Sequence, residues 1–189
     1  MRNRHTIAFA VLALFAVAMS PAPGAAGAAR AVAVRDTIPG PTAEFRDGHA
    51  ALITDFGWLM SKAVNPASTH RDRAHLVLYL RAEILPHARA EEMILYPALD
   101  SVLGTKGHAT ATMVLDHKAI ARLVDDLSAL ASSPYPEAYR RKVYALDAVL
   151  ESHFAKEEEF ILPILRRKMG ESELRALFAR MEALPSPEE

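Results

Sequence analysis

The chain has 189 residues, 51% hydrophobic and 24% charged, the balance of an ordinary globular protein with one sizeable core. A formal net charge of −1 and the lack of a long basic stripe argue against a nucleic-acid partner or a polybasic membrane contact. There is no cysteine, which excludes disulfides, thiolate zinc sites, cysteine-ligated iron–sulfur clusters and a lipid-modified N-terminal cysteine, so any metal must be held by nitrogen and oxygen.

Residues 1–28 have the form of a signal peptide. Arg2, Arg4 and His5 make a basic start, Ile7 to Met19 is an apolar run of 13 residues, and Ala26-Gly27-Ala28 offers a small-residue cleavage pattern. Thirteen residues fall short of the roughly 20 that span a bilayer. The expectation is an exported protein, periplasmic or secreted, with no stable membrane span after cleavage; the alternative is anchoring by an uncleaved signal. Residues 29–40 read as a linker, and 185–189 as a disordered tail.

Between 41 and 184 the hydrophobic period is helical throughout, with no alternating run long enough for a strand. Helix one is expected from about Thr42 to Val64, before the turn signal Asn65-Pro66. Helix two runs from an N-cap at Ser68 to about Leu103, with a kink at Pro86, and Gly104 and Gly107 break it. Helix three covers about Thr110 to Ala131. Helix four starts near Pro136, acceptable in a first turn, and reaches about Met169. A short fifth helix, about Ser172 to Leu184, packs across one end. Long helices on short connections predict an all-α, antiparallel, up-down-up-down four-helix bundle.

Each helix carries an inward stripe in steps of three and four residues. The stripes are Phe45, His49, Leu52, Phe56, Leu59; then Leu80, Ile84, His87, Glu91, Ile94, Ala98; then Met113, His117, Ile120, Val124, Leu127; and Leu146, Leu150, His153, Glu157, Phe160, Ile164. In all four, a histidine stands where an aliphatic residue is expected. Helices two and four share a signature: His87-x3-Glu91-Glu92 with Pro97 ten residues after the histidine, and His153-x3-Glu157-Glu158 with Pro163 in the matching place. His49 precedes His87 by 38 residues and His117 precedes His153 by 36, so the domain reads as two helix pairs.

Residues i and i+4 of a helix share a face, about 5–6 Å apart at Cβ, so an imidazole and a carboxylate at that spacing can converge on one ion. A carboxylate has a second oxygen for a neighbouring ion. Four imidazoles and two carboxylates, from His49, His87, Glu91, His117, His153 and Glu157, make a nitrogen and oxygen shell for a pair of metal ions. Such a shell suits iron, manganese or zinc and disfavours Cu(I).

These residues resemble the haemerythrin-like His-His-Glu cation-binding domain, over about residues 42–169. The resemblance implies a non-haem di-iron centre, two iron ions with an oxo or hydroxo bridge and with both glutamates bridging. It implies binding of a small diatomic ligand, oxygen or nitric oxide, or the sequestering or sensing of iron. The chain departs from the oxygen-carrying members in helix three, where Ala121 stands one turn after His117 in place of a second histidine, and in helix four, whose ligand set ends in Glu157.

Other residues read as scaffold. Glu92, Glu158 and Glu159 lie off the stripes and read as solvated, with one able to accept a hydrogen bond from a ligand. His70, His75 and His108 read as surface histidines, and Trp58 and the methionines as core; Tyr79, Tyr96 and Tyr144 could hydrogen-bond ligands or gate ligand entry, but Tyr96 sits in an apolar run and reads as packing. A binding protein is favoured over an enzyme. The competing readings are a di-iron enzyme acting on oxygen or peroxide, and a zinc-bound or metal-free helical interaction module.

Overall fold

The computed structural model describes residues 40–185. The proposed signal peptide, nearly all of the linker and most of the proposed tail lie outside them. Five helices make up the described chain, with no strand among the described residues. Helix α1 is Pro41–Ala63, α2 covers residues 70–103, α3 is Ala111–Leu130, α4 covers 136–168 and α5 is Glu171–Glu182. No described helix is long and apolar enough to cross a membrane.

Local chemistry sets the ends. Pro41 and Pro136 open α1 and α4, where a missing N–H leaves nothing unpaired. The cap of α2 is Thr69 and not Ser68: its hydroxyl accepts from the Asp72 amide at 3.2 Å and Asp72 Oδ2 accepts from the Thr69 amide at 2.8 Å. Gly104, at φ 69°, ends α2 in the left-handed region. Arg166, Arg167 and Lys168 fill the last turn of α4, where the helix dipole favours cations.

Cross-helix contacts align the four long helices. Arg46 donates to the Glu158 carbonyl at one end of the α1–α4 seam and Arg140 to the Val64 carbonyl at the other. Arg81 pairs with Asp125 between α2 and α3, and Lys142 with Asp126 between α3 and α4. Helix α5 buries Leu174, Leu177, Phe178 and Met181 over one end, and Phe178 meets Phe45 of α1 with ring centroids 4.9 Å apart.

The apolar interior falls into two clusters. One gathers Phe56, Leu76, Leu80, Ile120, Val124, Leu127, Leu146 and Leu150. The other gathers Leu95, Leu99, Met113, Leu162, Leu165, Leu174 and Leu177. On each long helix the stripe histidine lies between residues of the two clusters, so a polar layer crosses the bundle at one depth.

Helices α2 and α4 each loosen into one-turn π segments: Leu80–Ile84 and Glu91–Leu95 in α2, Glu157–Ile161 in α4. Each closes with an i→i−5 bond, from the amides of Leu85, Tyr96 and Leu162 to the carbonyls of Leu80, Glu91 and Glu157. Each of those amides belongs to the residue before a proline: Pro86, Pro97 and Pro163. A proline inside an α-helix has no N–H to give and its ring strikes the carbonyl four residues back; a wider turn relieves both problems. What the sequence presents as a kink at Pro86 is thus a wide turn, repeated twice more.

The wide turns also shift the helix phase by about one residue. After Glu157 the buried residues are Ile161, Leu162 and Leu165, while Phe160 is 61% exposed and Ile164 only half-buried. After Glu91 the most buried are Leu95, Tyr96 and Leu99; Ile94 stays buried and Ala98 is half-buried. Placing Phe160 in the core was therefore wrong. Trp58 is also outside, 59% exposed, with Lys62 Nζ 3.6 Å above its ring. Met113 and Met181 are core, but Met93 is exposed.

Asp100, not singled out by the sequence, organises the α2–α3 connection. Its carboxylate accepts from the Thr110 hydroxyl at 2.6 Å, the Ala109 amide at 3.2 Å and the Thr105 hydroxyl. Burial pushes its pKa up, but these hydrogen bonds outweigh burial and hold it below the usual aspartate value. Replacing Asp100 with Ala strands those donors, and should remove about 2–3 kcal/mol of stability, lowering Tm by roughly 5–10 °C at pH 7. A depressed folded-state pKa gives stability that is present above the unfolded value near ~3.9 and is lost as pH falls through the folded value. The gap between wild type and variant should therefore narrow in that acid range; equal melting temperatures at pH 7 would contradict this role.

Candidate metal centre

The polar layer brings all six stripe ligands together. His49 is 1% exposed, His117 5%, His153 1%, and Glu91 and Glu157 are fully buried. His87 keeps 22% of its side chain exposed. The potential ligand atoms form two groups, each within 4.8 Å: His49, His87, Glu91 and Glu157, and Glu91, His117 and His153.

Glu91 spans both groups. Its Oε1 lies 2.8 Å from His87 Nε2 and 3.7 Å from His49 Nε2, while Oε2 lies 3.1 Å from His117 Nε2 and 3.6 Å from His153 Nε2. Glu157 does the same more loosely, with Oε2 3.5 Å from His49 Nε2 and Oε1 3.7 Å from His153 Nε2. In this layer the i,i+4 spacing of each His-x3-Glu turns both side chains of a pair inward.

Three histidines are steadied from behind. His117 Nδ1 faces Glu92 Oε1 at 2.8 Å, His49 Nδ1 faces Glu158 Oε1 at 3.1 Å, and His153 Nδ1 faces Asp116 Oδ2 at 3.4 Å. Lys156 in turn pairs with Asp116. A carboxylate can only accept, so each Nδ1 carries the proton and, in the neutral imidazole, each Nε2 offers a lone pair to the interior. Glu92 and Glu158 are therefore not simply solvated. In each His-x3-Glu-Glu segment the first glutamate faces the layer, and the second reaches a histidine on the neighbouring helix. Asp116, immediately before His117, was missed; its counterpart in the first helix pair is Gly48, and among the described residues the matching His87 has no such carboxylate behind it.

Tyr96 is a second correction. It is not packing alone, because its hydroxyl donates to Glu157 Oε1 at 2.7 Å and lies 3.2 Å from His117 Nε2. The signal available for it was Pro97: a proline at that point implies a wide turn, which brings the residue five after Glu91 onto the inner face. His70, His75 and His108 stay on the surface, as expected, and Glu159 is exposed.

The charges of the layer do not balance among themselves. Burial pushes Glu91 up, but the His87 charge and the close imidazoles of His117, His153 and His49 outweigh it and hold Glu91 well below the usual carboxylate range. Glu157 goes the other way, raised well above that range by burial and by the charge of Glu91. Burial pulls His117 down, and its contacts with Glu91 and Glu92 more than reverse this. Two buried carboxylates this close do not both ionise unless something positive lies between them.

Fit to a cation can be judged from the unpaired atoms. His49 Nε2, His87 Nε2, both oxygens of Glu91 and Glu157 Oε2 are buried without a hydrogen-bond partner. His87 Nε2 and Glu91 Oε1 are only 2.8 Å apart, yet they are not aligned to bond each other. Each buried unpaired group costs about 1–3 kcal/mol, more when charged. The five atoms belong to four side chains, whose summed cost approaches the whole ~5–15 kcal/mol that keeps a domain folded. The donor chemistry fits a metal.

A helical bundle closed around inward histidines and glutamates is the architecture of a cation-binding protein. The family model described as the hemerythrin HHE cation binding domain matches the chain in two segments, residues 40–111 and 108–184. The chain belongs to this family, whose domain implies a metal site with histidine and glutamate ligands. The two matched segments correspond to the two helix pairs. No curated protein and no solved structure matches the chain.

Carboxylates behind ligand histidines typically account for 10–100-fold in metal affinity. Glu92→Ala and Glu158→Ala should each weaken metal binding by about that factor in chelator competition, with the helical circular dichroism unchanged. Unchanged affinity in both variants would contradict their supporting role.

Proposed function

We propose that His49, His87, Glu91, His117, His153 and Glu157 hold two iron ions in a dinuclear centre, and that the protein binds oxygen or nitric oxide there, or sequesters or senses iron. The observation that carries this reading is the set of buried, unpaired Nε2 and carboxylate oxygen atoms facing one another across the layer. A nitrogen and oxygen donor set without thiolate suits iron, and also manganese or zinc. Bound iron would supply open positions and redox chemistry for a diatomic ligand.

The residues themselves do the rest. Glu91 and Glu157 span the two groups, and the carboxylates behind His49, His117 and His153 fix the imidazole tautomers. Phe154 stacks on His49 with ring centroids 4.2 Å apart, and Phe45 meets His49 edge-on at 4.5 Å. These rings keep water from one side of the layer and favour a small, weakly polar ligand. His87 is the most exposed of the six and marks the side from which a ligand arrives.

Elemental analysis of the purified protein tests the centre. Two irons per chain are expected, lost when Glu91 and Glu157 are both replaced by Ala; a folded chain with no transition metal would overturn the reading. Adding oxygen to the reduced protein should give a stable visible adduct, whereas continuous consumption of oxygen would point to an enzyme. We also place the protein outside the cytoplasm, on the strength of the basic start, the apolar run and Ala26-Gly27-Ala28. N-terminal sequencing of the native protein should begin near residue 29, and a chain retained with Met1 would contradict export by cleavage.

A further inference from the structure

Where α1 hands over to α2, the surface carries a groove that the metal layer does not use. It holds about 390 Å³ and is lined by Trp58, Leu59, Lys62, Arg71, Asp72 and His75. Its walls follow from helical spacing. Trp58 and Lys62 stand one turn apart on α1, and Arg71 and His75 one turn apart on α2. Trp58 is nine residues beyond His49 on the same helix, about 14 Å along its axis. None of the six is a ligand of the layer or a carboxylate behind one.

The groove joins an aromatic wall to positive charge. Trp58, the one tryptophan of the chain, is 59% exposed, and Lys62 Nζ lies 3.6 Å above its ring. The indole face attracts a cation, so this contact keeps the ammonium beside the ring. Among the described residues, neither Lys62 nor Arg71 belongs to an ion pair. The acid in the groove is already engaged: Asp72 Oδ2 accepts from the Thr69 hydroxyl at 2.6 Å and the Thr69 amide at 2.8 Å. Those bonds, helped by His75 and Lys62, hold Asp72 below the usual aspartate range, so it stays ionised. Lys62 and Arg71 thus outnumber it by one charge.

We propose that this groove binds a small aromatic carboxylate, its ring against Trp58 and Leu59 and its carboxylate on Lys62 and Arg71. Guanidinium and ammonium donors suit a carboxylate, and an indole takes a flat ring by offset or edge-on contact. The aliphatic stems of the two cations extend the apolar wall. An excess of one positive charge matches a monoanion better than a phosphate dianion. At about 390 Å³ the groove is at the small end of ligand pockets, roughly 300–1,000 Å³, and its concavity favours a small molecule over a flat membrane surface. The site is separate from the metal centre and stands or falls without it.

The test is a titration of the purified full chain with phenylacetate, read by the emission of Trp58. Phenylacetamide keeps the ring without the charge, and acetate keeps the charge without the ring. A saturable change with phenylacetate alone is expected, with Kd about 1–10 mM for so small a ligand. Saturation-transfer NMR should show the same contact. Lys62→Gln combined with Arg71→Gln should weaken binding at least about tenfold, with helical circular dichroism and metal content unchanged. No saturable response up to about 50 mM, an equal response to phenylacetamide or acetate, or one that survives the double variant would overturn the proposal. So would emission that responds only to vesicles of anionic phospholipid, which marks a membrane contact instead. The three probes on wild type keep the test decisive even if the variant folds poorly.

Discussion

A sheet of imidazole and carboxylate lies across the middle of an otherwise apolar bundle, and everything else in the fold is arranged around it. Four helices each give up one aliphatic position to a histidine, and two give up a second to a glutamate. The apolar clusters above and below this layer hold it at one depth and keep water out. That same exclusion makes the layer unstable by itself, because its lone pairs and charges face one another with too few protons to satisfy them. Positive charge is the missing component, and family membership agrees that a cation supplies it.

Much of this was legible because the helical period is simple. In α3 every residue of the expected stripe is buried, from Met113 through His117 to Leu127, and no proline disturbs the count. In α4 the stripe holds only as far as Glu157, and in α2 it holds through Ile94 and loosens at Ala98. Past Glu91 and Glu157 the wide turns ahead of Pro97 and Pro163 rotate the helix, exposing Phe160 and bringing Tyr96 inward. A fixed 3.6-residue period has no means of registering the extra residue, although the prolines mark where it enters. Asp116 and Asp100 were hidden for a different reason: their roles depend on partners from other helices or from a loop, which periodicity does not see.

The repeated signature also acquires a physical meaning. The second glutamate of each His-x3-Glu-Glu segment crosses to the neighbouring helix, Glu92 to His117 and Glu158 to His49, so each helix pair presents a histidine that its own helix does not orient. At the layer the two halves differ in Asp116 against Gly48, Phe154 against Ala88 and Tyr96 against Leu162. Two halves with one plan thus surround the two groups of ligand atoms unequally. One group is backed by carboxylates throughout and touched by a phenol. The other is walled by aromatic rings and includes the partly exposed His87.

Anomalous diffraction from crystals of the native protein tests the central claim most directly. Two peaks are expected inside the layer, within about 4 Å of each other, one beside His49 and His87 and the other beside His117 and His153, with Glu91 between them. A well-ordered bundle with no peak at that depth, its imidazoles satisfied by water or by one another, would contradict the account.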